Sequence, residues 1–197
     1  KRRIPTICSL FHLESTEQFP GIFPKLGKIL IQDIAEVNGP YDLIHTASNF
    51  SSSRIKRISL INKKNIVVIP PGIETEKYLS ISKKVEGNEF VMIGRLEPRK
   101  HYHHAIFAVK YATKYDPDIK LYIIGDGPLR SAIAELIKRL SLEKNVFLLG
   151  RVDEETKLGL LSRAQALIHL GYPEGFGIVL IEALATGTPV ITYDIPP

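Results

Sequence analysis

The sequence predicts an α/β protein built on a doubly wound parallel sheet. From residue 89 onward, short apolar runs alternate with amphipathic stretches of helical length. The loops that follow four of the apolar runs each open with a glycine, at Gly94, Gly125, Gly150 and Gly171. Alternation at this spacing needs crossover connections, which place helices on both faces of a parallel sheet.

The elements of this alternating region follow from the pattern of apolar residues. Predicted strands cover residues 89–93, 120–124, 145–149, 166–170 and 188–192. Predicted helices cover residues 100–115, 129–141, 154–164 and 177–186. The loops after parallel strands meet at one edge of the sheet, so we expect the glycine-led loops to form one surface for ligand contact.

The front of the chain contains fewer elements. Strands are predicted at residues 4–10 and 42–46, and helices at residues 26–37 and after Ser48 or Ser51, either of which can cap a helix carrying Ile55, Ile58 and Ile61. A further strand at residues 65–69 runs into a proline turn, and residues 74–88 read as a linker. Because two strands and two helices leave sheet edges uncovered, we expect residues 1–64 to be part of a larger domain and residues 65–197 to form a second one.

Composition limits the class of partner. The chain of 197 residues has a formal net charge of +5, which favours acidic partners such as nucleotide phosphates or an anionic membrane surface. Its basic residues lie in small dispersed groups, so we expect no nucleic-acid binding. A single cysteine, Cys8, is typical of a reducing compartment. Without an apolar run of about 20 residues or a signal sequence, we expect a cytoplasmic protein, free or peripheral at the inner membrane face.

The segment of residues 171–191 carries the strongest chemical signal. Gly175 and Gly177 directly precede a predicted helix, whose first N–H groups and dipole favour an anion such as a phosphate. Glu174 lies before this site and Glu182 a little over two helical turns after it. Two carboxylates that flank one ligand fit the hydroxyl groups of a sugar or ribose.

This segment resembles the signature of retaining GT-B glycosyltransferases of the glycosyltransferase 4 family. The matching motifs are Glu-Gly-Phe-Gly at 174–177, Glu-Ala-Leu-Ala at 182–185 and Gly-Thr-Pro-Val at 187–190. The resemblance covers roughly residues 66–197. It implies that residues 65–197 are a Rossmann-like donor-binding domain, incomplete at its C-terminus, and that residues 1–64 are the last part of an acceptor-binding domain together with a hinge.

The loop after the first strand of the second domain carries two candidate phosphate-binding cations. Arg95 and Lys100 lie five residues apart across a proline-containing loop, a spacing that can aim both at one diphosphate. The Gly-Arg-Leu sequence followed by lysine resembles the family motif in which both cations hold the donor pyrophosphate. Arg99 is an alternative to Lys100, and His101 stands where the family commonly has glycine.

The resemblance implies further site residues. Catalytic roles are implied for Arg95, Lys100, Glu174 and His12. His12 follows the first predicted strand, and without the resemblance it would be read as an ordinary surface histidine. Donor-binding roles are implied for Gly94, Gly125, Gly127, Arg151, Val152, Gly175, Phe176, Gly177, Ile178, Val179 and Glu182. For the Gly125–Pro128 loop an alternative stays open, in which Asp126 only shapes a turn.

We expect no cofactor and no metal. His101, His103 and His104 suggest a metal site, but no carboxylate or cysteine lies at ligand spacing, and the helix buries Ala105, Ile106, Val109 and Ala112 instead. No Asp-x-Asp pair is present to hold Mg²⁺ on a diphosphate. The sequence therefore predicts metal-independent chemistry in which cations and helix N–H groups stabilise the leaving group.

The predicted function is transfer of a hexose, with mannose as one candidate, from a nucleoside diphosphate sugar to an acceptor hydroxyl with retention of configuration. The acceptor is expected to be a glycan or a lipid-linked molecule. Alternatives are a GT-B nucleotide-sugar epimerase or sugar-phosphate synthase, and a nucleotide-binding module without catalysis. We expect these 197 residues alone to bind nucleotide weakly or not at all and not to turn over.

Overall fold

The computed structural model describes residues 5–10, 39, 41–58, 65–81, 83–85 and 87–194. They form two compact units. The first contains the described residues up to Gly72 together with Pro173–Gly177, and the second contains Ile73–Tyr172 and Ile178–Asp194. The predicted helix at 26–37, His12 and Ile61 lie outside the described residues, so these predictions stay untested.

The first unit contains a parallel three-stranded sheet in the order β1-β2-β3. Its strands are β1 (Ile7–Leu10), β2 (Leu43–Thr46) and β3 (Asn65–Val68). The helix α1 (Asn49–Ile58) follows β2, and the Ser51 N–H donates to the Ser48 hydroxyl oxygen at 3.1 Å. Of the two predicted caps, Ser48 therefore takes the role.

The boundary between the units lies after Gly72, whereas the sequence placed it after residue 64. The reason is β3, which pairs with β2 along four residues and so belongs to the first sheet. Ile66 lies opposite Ile44 in this register and packs with the small core of Leu10, Ile44 and Ile55. Pairing with β2 satisfies the backbone N–H and C=O groups of β3. This strand therefore belongs to the first unit, although residues 65–74 read as one segment in the sequence.

The second unit contains a parallel five-stranded sheet in the order β6-β5-β4-β7-β8. The chain moves outward from β4 to β6, then returns to the other side of β4 for β7 and β8. The direction of winding therefore changes between β4 and β7. The strands are β4 (Glu89–Ile93), β5 (Lys120–Ile124), β6 (Val146–Gly150), β7 (Ala166–His169) and β8 (Val190–Thr192).

The helices of the second unit match the predicted alternation. They are α2 (Thr75–Leu79), α3 (Tyr102–Ala112), α4 (Arg130–Arg139), α5 (Glu154–Arg163) and α6 (Ile178–Ala185), and a short 3₁₀ helix covers Pro98–Lys100. The helix α3 begins two residues later than predicted. The cause is His101, whose φ of 48° lies in the left-handed region and separates the 3₁₀ turn from α3.

Two hydrophobic cores cover the two faces of this sheet. One includes Ile106 of α3 and Ile133 of α4 against Leu121 and Ile123 of β5. The other includes Leu161 of α5 and Ala183 of α6 against Val91 and Leu167. The arrangement is the helix–sheet–helix packing expected of a doubly wound fold. None of the helices within the described residues has the length and apolar character needed to cross a bilayer.

Part of the segment that the sequence predicted to be an irregular linker forms a helix. Thr75–Leu79 form α2, whose Tyr78 side chain is buried. Lys83 Nζ donates to the carbonyl oxygens of Leu161, at 3.2 Å, and Ala164, and to the Thr188 hydroxyl at 3.0 Å. A lysine ammonium at the end of α5 satisfies carbonyl groups that lack helical partners. Burial lowers the pKa of Lys83.

The end of α4 adopts a left-handed cap. Ser141 has a φ of 53°, and the N–H of the next residue, Leu142, donates to the Ile137 carbonyl oxygen at 3.0 Å. Leu142 itself is buried in the core. This is the six-residue closure of a Schellman cap, in which glycine is the usual residue at the left-handed position.

We expect Ser141→Gly to raise the free energy of unfolding by about 0.5–1 kcal/mol, because glycine avoids the Cβ strain of the left-handed region. Urea unfolding followed by circular dichroism measures the change. Ser141→Ala is the matched control, since alanine also has a Cβ and gains nothing. Equal stability of the glycine and alanine variants would contradict the proposed strain.

Candidate functional site

The candidate site is the carboxyl edge of the second sheet, where its winding changes direction between β4 and β7. Ligands of doubly wound proteins bind at such a point. The loop after β4 and the chain leaving β7 meet there, because the Tyr172 N–H donates to the Arg99 carbonyl oxygen at 2.9 Å. The structure thus brings together two loops that the sequence predicted to share an edge.

Backbone hydrogen bonds join the loops after β4, β5 and β6 into one surface. The Gly94 N–H donates to the Ile124 carbonyl oxygen at 3.0 Å, and the Gly125 N–H donates to the Gly150 carbonyl oxygen at 2.7 Å. Further along, the Leu96 N–H donates to the Asp126 carbonyl oxygen at 3.0 Å. These hydrogen bonds join the loops through main-chain groups alone. The side chain of Arg95 takes no part in them.

Gly125 and Gly127 make this close approach sterically feasible. A Cβ on Gly125 would lie 2.0 Å from the Gly94 carbonyl oxygen, and one on Gly127 would lie 2.7 Å from the Leu96 nitrogen. The Asp126 carboxylate also accepts the Gly127 N–H at 2.8 Å, as in the alternative in which Asp126 shapes a turn. These two glycines therefore have a packing role whether or not they also line a ligand pocket.

Glu97 organises the cations of the loop after β4. Its two carboxylate oxygens accept from Arg95 Nε and Arg99 Nε, each at 3.0 Å. The Arg95 side chain is 70% exposed, whereas that of Arg99 is 17% exposed. An exposed ion pair contributes at most about 1 kcal/mol, so Arg95 can leave Glu97 for an anionic ligand at little cost. Sequence reasoning missed Glu97, although a carboxylate two residues from each arginine was the available signal.

Lys100 occupies a different position from Arg99. Its side chain runs beside Gly94, since a Cβ built on Gly94 would lie 3.5 Å from Lys100 Cε. Lys100 is 9% exposed, unusually buried for a lysine. The Arg99 side chain is paired with Glu97, and the Lys100 side chain lies at the edge next to Gly94. The choice between the two as the second cation stays a prediction.

Tyr102 holds the loop after β4 by a hydrogen bond, a role that the sequence analysis did not predict. Its buried hydroxyl donates to the Gly94 carbonyl oxygen at 2.9 Å and lies 3.4 Å from that of Arg95. Burial raises the pKa of Tyr102, with a smaller opposing effect from Arg99, so the phenol stays protonated as a donor. No sequence signal pointed to this role, because a tyrosine at the start of a helix is normally a packing residue.

The loop after β6 contains two residues with predicted donor-binding roles. Val152 is partly buried and packs against the second core. Arg151 is exposed. The predicted role of this loop through its main chain remains compatible with both observations.

Glu182 lies on α6 within a cluster of charged and hydroxyl groups. Its Oε1 accepts from Lys157 Nζ at 3.1 Å and from the Tyr78 hydroxyl at 3.0 Å. Lys157 also contacts Glu154 at 3.0 Å, and Glu154 contacts Lys77 at 3.2 Å. Burial, together with the two carboxylates, raises the pKa of Tyr78. These contacts orient Glu182 and use one of its oxygens, while Oε2 accepts neither bond.

The remaining predicted residues fall at the start of α6 and in the preceding segment. In the first unit, the Glu174 carboxylate accepts the Gly175 N–H at 3.3 Å, and the Ser51 hydroxyl lies 3.4 Å from the Gly175 carbonyl oxygen. In the second unit, Ile178 is exposed at 44% and Val179 is buried in the core. Only the main chain of Val179 is therefore available to a ligand. Convergence of Glu174, Phe176 and Gly177 with Arg95 and Lys100 stays a prediction.

A surface depression of about 580 Å³ lies elsewhere, between α2 and α5. Its lining includes Lys77, Ile81 and Leu158 but none of the predicted donor-binding residues. Position at the switch in strand order, rather than the size of a cavity, therefore identifies the candidate site.

The second unit matches a family of known proteins. Residues 73–197 match the family model described as Glycosyl transferases group 1. An uncharacterized glycosyltransferase of Methanocaldococcus jannaschii is 37% identical over 105 residues, which are 53% of this chain and 25% of that protein. The poly(ribitol-phosphate) alpha-N-acetylglucosaminyltransferase of Staphylococcus aureus is 27% identical over 191 residues, covering 94% of this chain and 36% of that protein.

Solved structures share the fold. HepE from Anabaena, in complex with UDP-glucose, has a TM-score of 0.77 at 21% identity, over 95% of this chain and 53% of that one. TarM from S. aureus, in a complex that includes UDP, has a TM-score of 0.74 at 22% identity, over 98% of this chain and 37% of that one. The predicted α/β, Rossmann-like fold of GT-B type is confirmed. The chain spans only 25% and 36% of the two curated relatives' lengths.

We expect Gly125→Ala to lower the free energy of unfolding by about 2–4 kcal/mol, because its Cβ would overlap the Gly94 carbonyl and strain a φ of 131°. Urea unfolding of the chain, followed by circular dichroism, measures the decrease in the free energy of unfolding. Gly159→Ala is the control: this helical glycine has nothing within 4 Å of an added Cβ, so alanine should add up to about 1 kcal/mol. A Gly125→Ala protein as stable as the parent would contradict the close approach of the two loops.

Proposed function

The chain belongs to the glycosyl transferases group 1 family, and on that premise we propose that it is the donor-binding part of a retaining hexosyltransferase. The proposed reaction moves a hexose from a nucleoside diphosphate sugar to the hydroxyl group of a glycan or lipid-linked acceptor. The observation that carries the proposal is the placement of Arg95 and Lys100 on one short loop at the switch point of a doubly wound sheet.

The two cations suit a diphosphate for complementary reasons. Arg95 is exposed and forms a weak ion pair with Glu97, so its guanidinium can turn toward two phosphate oxygens. Lys100 is buried beside Gly94, where a compact charge acts with less screening by water. Tyr102 holds the backbone of Gly94, which precedes Arg95 and lies beside Lys100, by a hydrogen bond to its carbonyl oxygen. This contact reduces the reorganisation of the loop needed when a ligand binds.

The carboxylates have separate proposed roles. Glu182 is oriented by Lys157 and Tyr78 through Oε1, and we assign Oε2 to the ribose hydroxyl groups. Glu174 is assigned to the hydroxyl groups of the transferred sugar. A contact between His12 and the transferred sugar is also proposed, from the family resemblance alone.

The chemical step follows from these assignments. The bond between the anomeric carbon and the β-phosphate oxygen breaks, and its electron pair stays on that oxygen. The acceptor hydroxyl oxygen bonds to the same face of the anomeric carbon, and its proton passes to the leaving phosphate. Arg95, Lys100 and the first N–H groups of α6 stabilise the charge that develops on the diphosphate, which lowers the barrier. No metal is needed for this stabilisation in the proposal.

The identity of the donor nucleotide and of the transferred sugar is proposed from the relatives. HepE is solved with UDP-glucose and TarM in a complex that includes UDP, which makes a uridine nucleotide sugar the first donor to test. Among the relatives, the WbdA mannosyltransferase of Escherichia coli is 35% identical over 109 residues, so GDP-mannose stays a candidate.

We expect UDP to perturb amide resonances of Gly94, Lys100 and Gly125 in an NMR titration of this 197-residue chain, a method that also detects weak binding. Arg95→Ala should weaken the fitted affinity by about tenfold to a hundredfold, the effect of one charge-assisted hydrogen bond. GDP and ADP, titrated in parallel, rank the bases.

Lys110→Ala serves as the control for loss of a positive charge. Lys110 is exposed in the last turn of α3, far along the helix from the loop edge, so its removal should leave the affinity unchanged. Equal effects of the Arg95 and Lys110 variants would show that nucleotide binding depends on net charge alone and would contradict the assigned site.

A protein that carries this chain together with the remainder of a full-length transferase should move radiolabelled sugar from UDP-glucose or GDP-mannose to an acceptor with retention at the anomeric carbon. EDTA should leave the rate unchanged, since cations of the chain perform the electrostatic role. Recovery of the label in an epimerised nucleotide sugar would instead support the epimerase alternative, and an inverted product would refute retention.

A further inference from the structure

We propose that His101, His103 and His104 form a binding site for a divalent transition-metal ion of the zinc type. One ring nitrogen of each histidine lies within 4.8 Å of the other two. The proposal concerns the start of α3 alone and does not depend on the proposed glycosyl transfer.

The backbone explains how three histidines so close in sequence converge. On a regular helix, residues 101 and 103 would point about 200° apart. His101 instead has a φ of 48°, which reverses the local direction of the chain before α3 begins. Its ring consequently stacks on that of His104, with centroids 5.3 Å apart and planes inclined by 13°. The His103 ring lies 4.2 Å from that of His104.

The geometry needs only a small adjustment to hold a metal. Zinc binds imidazole nitrogen at about 2.0–2.1 Å, so two tetrahedral ligands stand about 3.4 Å apart. Closing the present separation of up to 4.8 Å takes roughly 1.4 Å of movement. His103 and His104 are exposed, so their rings can rotate without disturbing the core. Three protein ligands then leave the fourth position to water.

The chemistry of the group also fits a metal. Imidazole is a preferred ligand of Zn²⁺, Ni²⁺ and Cu²⁺ but not of Mg²⁺, which takes oxygen. No carboxylate or cysteine is needed as a partner, because the fold brings the ring nitrogens of all three histidines within 4.8 Å of one another.

Tyr193, just after β8, has the position of a supporting group. Its hydroxyl is hydrogen-bonded to His104 Nδ1, and its ring meets that of His101 edge to face at 6.0 Å. If His104 Nδ1 carries the proton and donates to Tyr193, Nε2 is left to bind the metal, the usual arrangement of a metal-bound histidine.

Calorimetric titration of the 197-residue chain with ZnCl₂ tests the proposal, with MgCl₂ as the control ion. We expect one equivalent of Zn²⁺ to bind and Mg²⁺ to give no binding heat. His103→Ala and His104→Ala should each weaken Zn²⁺ binding by about tenfold or more, while Lys110→Ala on the same helix leaves it unchanged. Thermal unfolding without metal confirms that the variants are folded.

Imidazole ¹⁵N spectra give a second measurement that does not rely on variants. Bound Zn²⁺ should shift one ring nitrogen in each of His101, His103 and His104 and leave the signals of His45 and His169 unchanged. Failure to bind Zn²⁺, or binding that survives both histidine substitutions at full strength, would overturn the proposal.

Discussion

The second unit depends on the close approach of backbone between the loops that leave β4 and β5. In a parallel sheet these loops emerge side by side at one edge, and here they are bonded to each other by main-chain groups at Gly94, Leu96 and Asp126. A side chain at Gly125 would leave too little room, since its Cβ would lie 2.0 Å from the Gly94 oxygen. The same contact that completes the fold therefore also determines where Arg95 and Lys100 are placed.

The carboxylates of Glu97 and Glu182 already have partners within the protein before any ligand arrives. Glu97 accepts from two arginines, and Glu182 accepts from Lys157 and Tyr78. An anionic ligand would compete with Glu97 for Arg95, but a hydroxyl-bearing ligand could use the second oxygen of Glu182 without breaking its contacts. The two carboxylates thus differ in kind: one holds a cation that can be released, and the other is held in position.

Much of the fold could be predicted from the sequence, because strands and helices of the second unit are set by local apolar periodicity. The predicted strands 89–93 and 120–124 agree with β4 and β5 at both ends. Contacts between distant segments could not be predicted. The pairing of β3 with β2, the burial of Tyr78 and the hydrogen bond from Tyr102 to Gly94 arise from tertiary packing. The convergence of three histidines depends on the left-handed conformation of His101. The one signal for it was the glycine that the resembled family commonly has at this position.

The cluster around Tyr78 has a consequence for the electrostatics of α2, α5 and α6. Lys77 and Lys157 contribute two positive charges, and Glu154 and Glu182 contribute two negative ones, so the quartet is neutral as a whole. Its single phenolic proton can be donated to only one carboxylate at a time, although both lie within 3.2 Å. A neutral group of short-range, partly buried contacts has little long-range field, so added salt should loosen this three-helix junction far less than it loosens the exposed Arg95 ion pair.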